Sequence, residues 1–446
     1  MFFRRLDFLK YLLILISSVL AFNLWSQQPQ KHDSLSRQER RELSWIENTH
    51  ILSGLDESMA RDSLERMLNR YYIDQFRHSQ DPRAPYFMFM SKNGNLAMGV
   101  GGQIKVRGYF DWNGSIPTPG FYPYNIPIPK NPLAMRNLAA SASGTGLFFT
   151  ILGRNKILGD FIGYFQADFA GYNDRGFRIK KAYLTMGDWT AGYAVTTFED
   201  TKAEPETVDG AGPNGINSRK NVLVRYLHTF KGKWSLAASA EFPKTLISQS
   251  DTAAKATNQY IPDIAAFGQY QWAGGKSHVR LSALLRTLSY RDLMAGKNYN
   301  ILGWGLQVSA VIKAFSSWNF FGILSTGRGH ASYTTDLGIG NFDLISDLDN
   351  PGKLYAPMAA GFVFGAQYFF SSKLYANIAL SEQTYYPKHN PHNSQYRYGF
   401  YGAANVMWDI TPRLQCGFEY LHGRRKNFNG QHGDADRIMA LLMLSF

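Results

Sequence analysis

The last eleven residues, 436–446, constrain the fold more than any other stretch. They read D-R-I-M-A-L-L-M-L-S-F, with Ile438, Ala440, Leu442, Leu444 and Phe446 on one parity. Arg437 and Ser445 lie on the other parity, together with Met439, Leu441 and Met443. A strand that carries an apolar face and closes the polypeptide on an aromatic residue has the pattern of the final strand of a transmembrane β-barrel. Phe446 is then the candidate assembly signal, read by the barrel-assembly machinery. A buried edge strand of a soluble β-protein is the alternative.

The rest of the chain decides between the two. Residues 103–112 are polar on one parity and apolar on the other, about the length a membrane strand needs, roughly 9–11 residues. A cation on the lipid side costs about 2–4 kcal/mol at the bilayer midplane, so Lys105 and Arg107 face inward. The same alternation predicts fifteen more strands, near 145–153, 159–169, 176–187, 190–198, 221–230, 234–243, 261–272, 277–290, 300–314, 317–328, 355–369, 373–386, 396–409, 413–424 and 435–446. Seven short connections, the first at 154–158 and the last at 409–412, alternate with longer ones at 113–144, 170–175, 199–220, 244–260, 291–299, 329–354, 387–395 and 425–434. Short turns on one side and long loops on the other are the asymmetry of an outer-membrane barrel. Trp189, Trp234, Trp272, Trp318, Phe370 and Trp408 lie at or beside the short turns, as an interfacial aromatic girdle requires. The expected fold class is an all-β transmembrane barrel of about 16 antiparallel strands, preceded by a short periplasmic helix.

Composition agrees. Aromatic residues make up 15% of the chain and charged residues only 18%, a combination that suits strands wetted on one face and greasy on the other. No long uncharged apolar run follows residue 26, which excludes transmembrane helices. The lone Cys416 excludes an internal disulfide and a cysteine-rich metal site. Arg4, Arg5 and Lys10 precede a short apolar run at 11–22, so residues 1–26 read as a signal peptide. Residues 27–84 form the expected periplasmic segment. Within it, Leu64, Met67, Leu68, Tyr71 and Tyr72 recur at helical spacing inside a helix over 35–78. That stripe is buried either in a coiled coil or against the barrel. Residues 85–446 are the barrel.

Net charge is +13, with residues 27–94 neutral and the first 26 contributing +2, so the excess of +11 sits on the barrel. Parity places Lys105, Arg107, Arg178, Lys180, Arg225, Arg280, Arg286, Arg397, Arg425 and Arg437 on the inner wall, against Asp111, Asp168, Glu241 and Glu419. Individually such residues pair within a salt-bridge network; as a set they favour anions, because low-dielectric walls focus the field. The connection 199–220 carries Glu199, Asp200, Glu204, Glu206 and Asp209. Folded into the lumen, it sets these acids opposite the basic wall; the alternative is a solvated surface loop. The expected function is an outer-membrane porin for passive diffusion of small, hydrophilic, anionic solutes, with no cofactor, no metal and no bond chemistry. A barrel-anchored structural tether and an outer-membrane hydrolase are the alternatives. Expected partners are outer-membrane lipid and lipopolysaccharide, with no nucleic acid.

Several stretches resemble a known family. The runs at 405–410 and 417–425, then Gly430, Gly433 and 435–438, look like the end of the DcaP-like trimeric porins. Residues 102–111 resemble that family's first strand. Residues 165–169 with 177–183 resemble its central hairpin, and Thr190, Ala191, Gly192, Thr197 and Phe198 its fifth strand. The style of P-Y-F-M-F-M at 85–90 and G-Y-F-D-W at 108–112 also looks like Bacteroidetes porins. The resemblance implies sixteen strands, a homotrimer, a periplasmic N-terminal coiled coil and diffusion of small anions such as dicarboxylates. It carries Arg178, Arg425 and Arg437 over as lumenal arginines. Lys180 stands where the family commonly has Arg, and Gln166 where it commonly has an acid.

Four further signals are set aside. G-A-G-P-N-G at 210–215 fits a dinucleotide fingerprint, but Pro213 interrupts it and no helix follows. Asp343, Asp347 and Asp349 depart from the spacing of a Ca²⁺ loop and read as a turn. His389 and His392 read as exposed loop residues, and Asn113-Gly-Ser115 as a loop without glycosylation.

Overall fold

A computed structural model describes residues 37, 40–41, 50–52, 80–81, 87–92, 96–155, 159–172, 176–248, 253–388 and 394–446. Sixteen long strands follow one another around a ring. They are β1 (Leu96–Asp111), β2 (Gly146–Asn155), β3 (Gly159–Asp168), β4 (Arg178–Met186), β5 (Trp189–Val195), β6 (Lys220–Phe230), β7 (Trp234–Glu241) and β8 (Asp263–Trp272). The second half comprises β9 (Ser277–Asp292), β10 (Lys297–Phe315), β11 (Trp318–Arg328), β12 (Met358–Phe369), β13 (Leu374–Tyr386), β14 (Tyr396–Asp409), β15 (Leu414–Asn427) and β16 (His432–Ser445). Each pairs antiparallel with its neighbours. The ring closes between β16 and β1, from Arg437↔Asp111 to Ser445↔Gln103. Closure leaves no lipid-exposed edge whose N–H and C=O groups lack partners.

Alternation sets the two faces. On β1, Ile104, Val106 and Phe110 are exposed on the outer surface, while Gln103, Lys105, Tyr109 and Asp111 are buried inside. On β16, Leu442 and Leu444 point out; Met439, Leu441 and Met443 point in. These inner apolar residues pack in one cluster with Ile116, Phe121, Ile126 and Val208, all from connections between strands. An apolar residue on a lumenal parity therefore marks a place where a connection folds into the barrel.

The short turns match expectation, and Trp189, Trp234, Trp318, Phe370 and Trp408 beside them are exposed on the outer wall. Three pack at a tilt against a tyrosine of the neighbouring strand: Trp189 on Tyr226 at 5.0 Å, Trp234 on Tyr270 at 4.9 Å and Trp318 on Tyr368 at 4.7 Å between ring centres. Two expected long loops shrink. The connection expected at 291–299 is only residues 293–296, and that at 425–434 only 428–431. β9 and β10 run for 16 and 19 residues, well beyond the membrane, so the hairpin continues as a ladder where polarity suggested a loop.

The helix expected over 35–78 lies mostly outside the described residues. Arg37, Arg40 and Arg41 are helical. His50–Leu52, inside the expected helix, is instead extended and pairs parallel with Phe87–Phe89. Phe87–Met90 pairs antiparallel with Val100–Ala97, the part of β1 that β16 does not reach. The end of β1 that β16 leaves unpaired thus takes Phe87–Met90 as its partner.

Candidate functional site

Among the described residues three connections fold into the barrel, and side chains on the inner wall hold them. The first, 196–219, links β5 to β6. Its ends are tied where the Glu199 carboxylate accepts the Arg219 N–H at 3.1 Å. On β9 and β10, Asp200 accepts the Ser309 hydroxyl, lies 2.8 Å from His278 Nε2 and faces Arg280 at 3.6 Å. Burial alone would raise the Asp200 carboxyl, but Arg280 and His278 prevail and hold it well below the usual carboxylate range. The loop then reaches β13 and β15. Glu419 on β15 accepts the N–H groups of Val208 and Asp209, both at 2.8 Å, and Tyr375 on β13 donates to Glu206 at 2.9 Å.

The glycines of 210–215 permit close approach to the walls. A Cβ at Gly212 would lie 2.3 Å from the Tyr401 ring, one at Gly215 2.3 Å from the Phe362 carbonyl, and one at Gly210 2.6 Å from Arg107. The motif that mimics a dinucleotide fingerprint is a packing device. The five loop acids are thereby assigned. Glu199, Asp200, Glu206 and Asp209 shape or anchor the loop through hydrogen bonds. Burial pushes the Glu204 carboxyl up to about 8, although a hydrogen bond with Glu199 works the other way, so it carries little charge at neutral pH.

The second connection, 112–136, is held by Arg437. Its guanidinium forks onto both Asp111 oxygens at 2.5 and 3.0 Å and donates to the carbonyls of Ile116, Thr118 and Pro119. It also covers the Tyr109 ring at 4.2 Å. Arg425 donates to the Tyr124 carbonyl at 2.6 Å and lies over the Tyr124 and Tyr396 rings. The third connection, 329–357, is held by Arg286, which bonds Asp263 at 3.0 Å, Asp343 at 2.9 Å and the Gly329 carbonyl at 2.6 Å. Asp336 in this loop accepts from Asn214 at 2.8 Å and Tyr396 at 3.0 Å, joining the first and third loops. Burial raises the Asp336 carboxyl to about 6 against the pull of those hydrogen bonds. Asp343 is consumed by Arg286, while Asp347 accepts the Asp349 N–H in a turn. Among the described residues no cluster suits a metal ion.

The ten predicted cations therefore divide. Arg280, Arg286 and Arg437 are fully buried within loop anchors, and Arg225 is buried with Nη1 on the Val195 carbonyl. Arg397 does not belong to the inner set. A bulge between Tyr396 and Tyr398 makes Tyr396 the inward residue, 1% exposed, and breaks the assumed parity. Arg425 holds the second connection through the Tyr124 carbonyl, and the remaining four lie on β1 and β4: Lys105, Arg107, Arg178 and Lys180. Arg178 forks onto Asp168 at 3.0 and 2.9 Å, with Lys180 3.9 Å from the same carboxylate. Among the described residues, Arg107 has no carboxylate within ion-pairing distance, and its buried Nε lacks a hydrogen-bond partner.

Lys181 escaped the parity reading. A bulge at Gln166–Ala167 lets β4 present both Lys180 and Lys181 inward, and Lys181 pairs with Asp81 at 2.5 Å. The adjacent lysines are the signal, since a lysine at this depth on the lipid face would be costly. The inward folding of 112–136 and 329–357 was also missed. Ile116, Phe121 and Ile126 in one, and Leu337, Phe342, Leu344 and Ile345 in the other, are too apolar for solvated loops and are buried.

The profile described as DcaP outer membrane protein matches residues 92–245, about a third of the chain. The outer membrane channel DcaP of Acinetobacter baumannii superimposes with a TM-score of 0.69 at 20% identity, covering 80% of this chain and 99% of that one. The anion-selective porin from Comamonas acidovorans gives 0.54 at 10% identity, covering 79% and 100%. OmpT of Vibrio cholerae gives 0.51 at 8% identity, covering 79% and 98%. No curated protein sequence matches. The likeness is one of architecture: the chain has the sixteen-stranded barrel fold of outer-membrane porins.

Proposed function

We propose that the protein is an outer-membrane channel through which small hydrophilic solutes diffuse passively, with anions favoured. The observation that carries this reading is Arg107. Its guanidinium sits beneath Gly210 of the inward-folded 196–219 loop, without a carboxylate in pairing distance among the described residues. Lys180 lies on the same wall, 3.9 Å from an Asp168 already committed to Arg178. Sixteen-stranded barrels of this kind enclose an aqueous lumen, and a cation held there attracts anions in a field that low-dielectric walls concentrate.

The apolar outer band and the girdle support residence among outer-membrane lipid and lipopolysaccharide, and Phe446, bonded to Gly102 through both its N–H and its carbonyl, is the proposed assembly signal. Assembly as a homotrimer, a cleaved leader over 1–26 and kinship with Bacteroidetes porins rest on the sequence resemblance and belong to the same proposal. The test is conductance of the purified protein in planar bilayers. Stepwise openings are expected, in triplets for a trimer; folded protein that stays silent overturns the reading.

A further inference from the structure

The basic wall has a counterpart that the barrel itself does not supply. Asp81, which precedes β1, places its carboxylate 2.5 Å from the Lys181 ammonium, with both side chains 6% exposed. The neighbouring Gln80 bridges two parts of the lumen. Its Oε1 accepts from Lys105 on β1, and its Nε2 donates to the Thr207 carbonyl at 2.5 Å, in the connection that crosses the barrel. Lys181 lies five residues from the lower end of β4 at Met186, which at 3.3 Å per residue and a tilt near 40° is roughly 13 Å above the periplasmic turn. A second contact lies on β13 and β14. Arg41 pairs with Asp409 on β14 and donates to the Tyr375 hydroxyl at 2.8 Å; that same hydroxyl donates to Glu206 of the crossing loop.

We infer that residues ahead of the first strand are specificity-determining elements of the channel: Asp81 and Gln80 mask part of its basic wall, and Arg41 masks an acid on β14. The inference deepens the anion-favouring reading above and rests on it. Asp81 sets a negative charge against Lys181 beside Lys180 and Lys105, so the field an entering anion meets is the difference between these charges. Gln80 contributes without charge, taking up one proton of the Lys105 ammonium and tying that wall to the loop.

The two ends make opposite predictions, which a merely structural role would not. In the full-length protein, Asp81→Asn removes the negative charge and should raise the anion-to-cation permeability ratio by roughly twofold. Arg41→Gln removes the positive charge beside Asp409 and should lower it by a similar factor. Asp81→Glu should restore the wild-type ratio. Reversal potentials in a KCl gradient read all three, and heat-resistant migration in mild detergent checks that each variant is folded. Unchanged ratios in folded, conducting Asp81→Asn and Arg41→Gln, or shifts of the same sign, would overturn the inference while leaving the channel intact. Absence of conductance in the wild-type protein would instead remove the reading on which it rests.

Discussion

The inner wall has two sectors that look alike in sequence and differ in work. One, on β9, β15 and β16, presents Arg280, Arg286, Arg425 and Arg437. Each of these is engaged with a loop carbonyl, and three of them also face an acid: Asp200, Asp263 with Asp343, or Asp111. The other, on β1 and β4, presents Lys105, Arg107, Lys180 and Lys181, where carboxylates are fewer and two polar partners come from residues ahead of the first strand. Arginine dominates the first sector because its planar fork satisfies several acceptors at once. Lysine dominates the second, where Lys105 and Lys181 are buried against Gln80 and Asp81. A cation's side of the strand says that it faces the lumen; its partners say whether it serves the fold or the field.

The comparison breaks most sharply at Arg286. Replacing it by alanine leaves Asp263 and Asp343 buried without their shared partner, a loss of about 3–5 kcal/mol. A large fall in the thermal unfolding midpoint is expected, with noisier conductance as the 329–357 loop comes loose. Wild-type stability would mean that the two sectors are equivalent. Next comes the wall itself: Leu306→Arg on the exposed face of β10 should cost about 2–4 kcal/mol near the midplane, measured by folding into lipid vesicles under urea. Its neighbour Gln307 is buried on the lumenal side.

The smallest effect is electrostatic tuning at Asp336. Its folded carboxyl titrates near 6 because it is buried, whereas an unfolded aspartate titrates at about 3.9. Between these values the folded state alone takes up the proton, so this group adds stability as pH falls from about 7 towards 4 and subtracts it at higher pH. Asp336→Asn mimics the protonated form. The variant should melt above wild type at pH 7.5, and the gap should close by pH 4.5; a constant gap would contradict the assignment.

Much of this was legible in the alternation of the chain. The sixteen strands and the short turns follow from period two and from aromatic residues at the hairpins, because lipid and water enforce opposite polarities on successive side chains. Parity failed at two of the bulges, where one extra residue shifts the face: Lys181 turns inward on β4, and Tyr396 takes the place assigned to Arg397 on β14. It also left open what fills the lumen. Met439, Leu441 and Met443 lie on the wet parity of β16, and parity alone does not say that Ile116, Phe121 and Ile126 cover them. Those partners lie more than three hundred residues away, and nothing local in either stretch specifies the other.

The zero-current reversal potential in a KCl gradient, compared between wild type and the double variant Arg107→Ser, Lys180→Ser, tests the account most directly. Wild type should favour chloride, and the double variant should move markedly towards potassium while its unfolding midpoint stays within a few degrees. An unmoved potential in the folded variant would contradict the assignment of selectivity to the β1 and β4 wall.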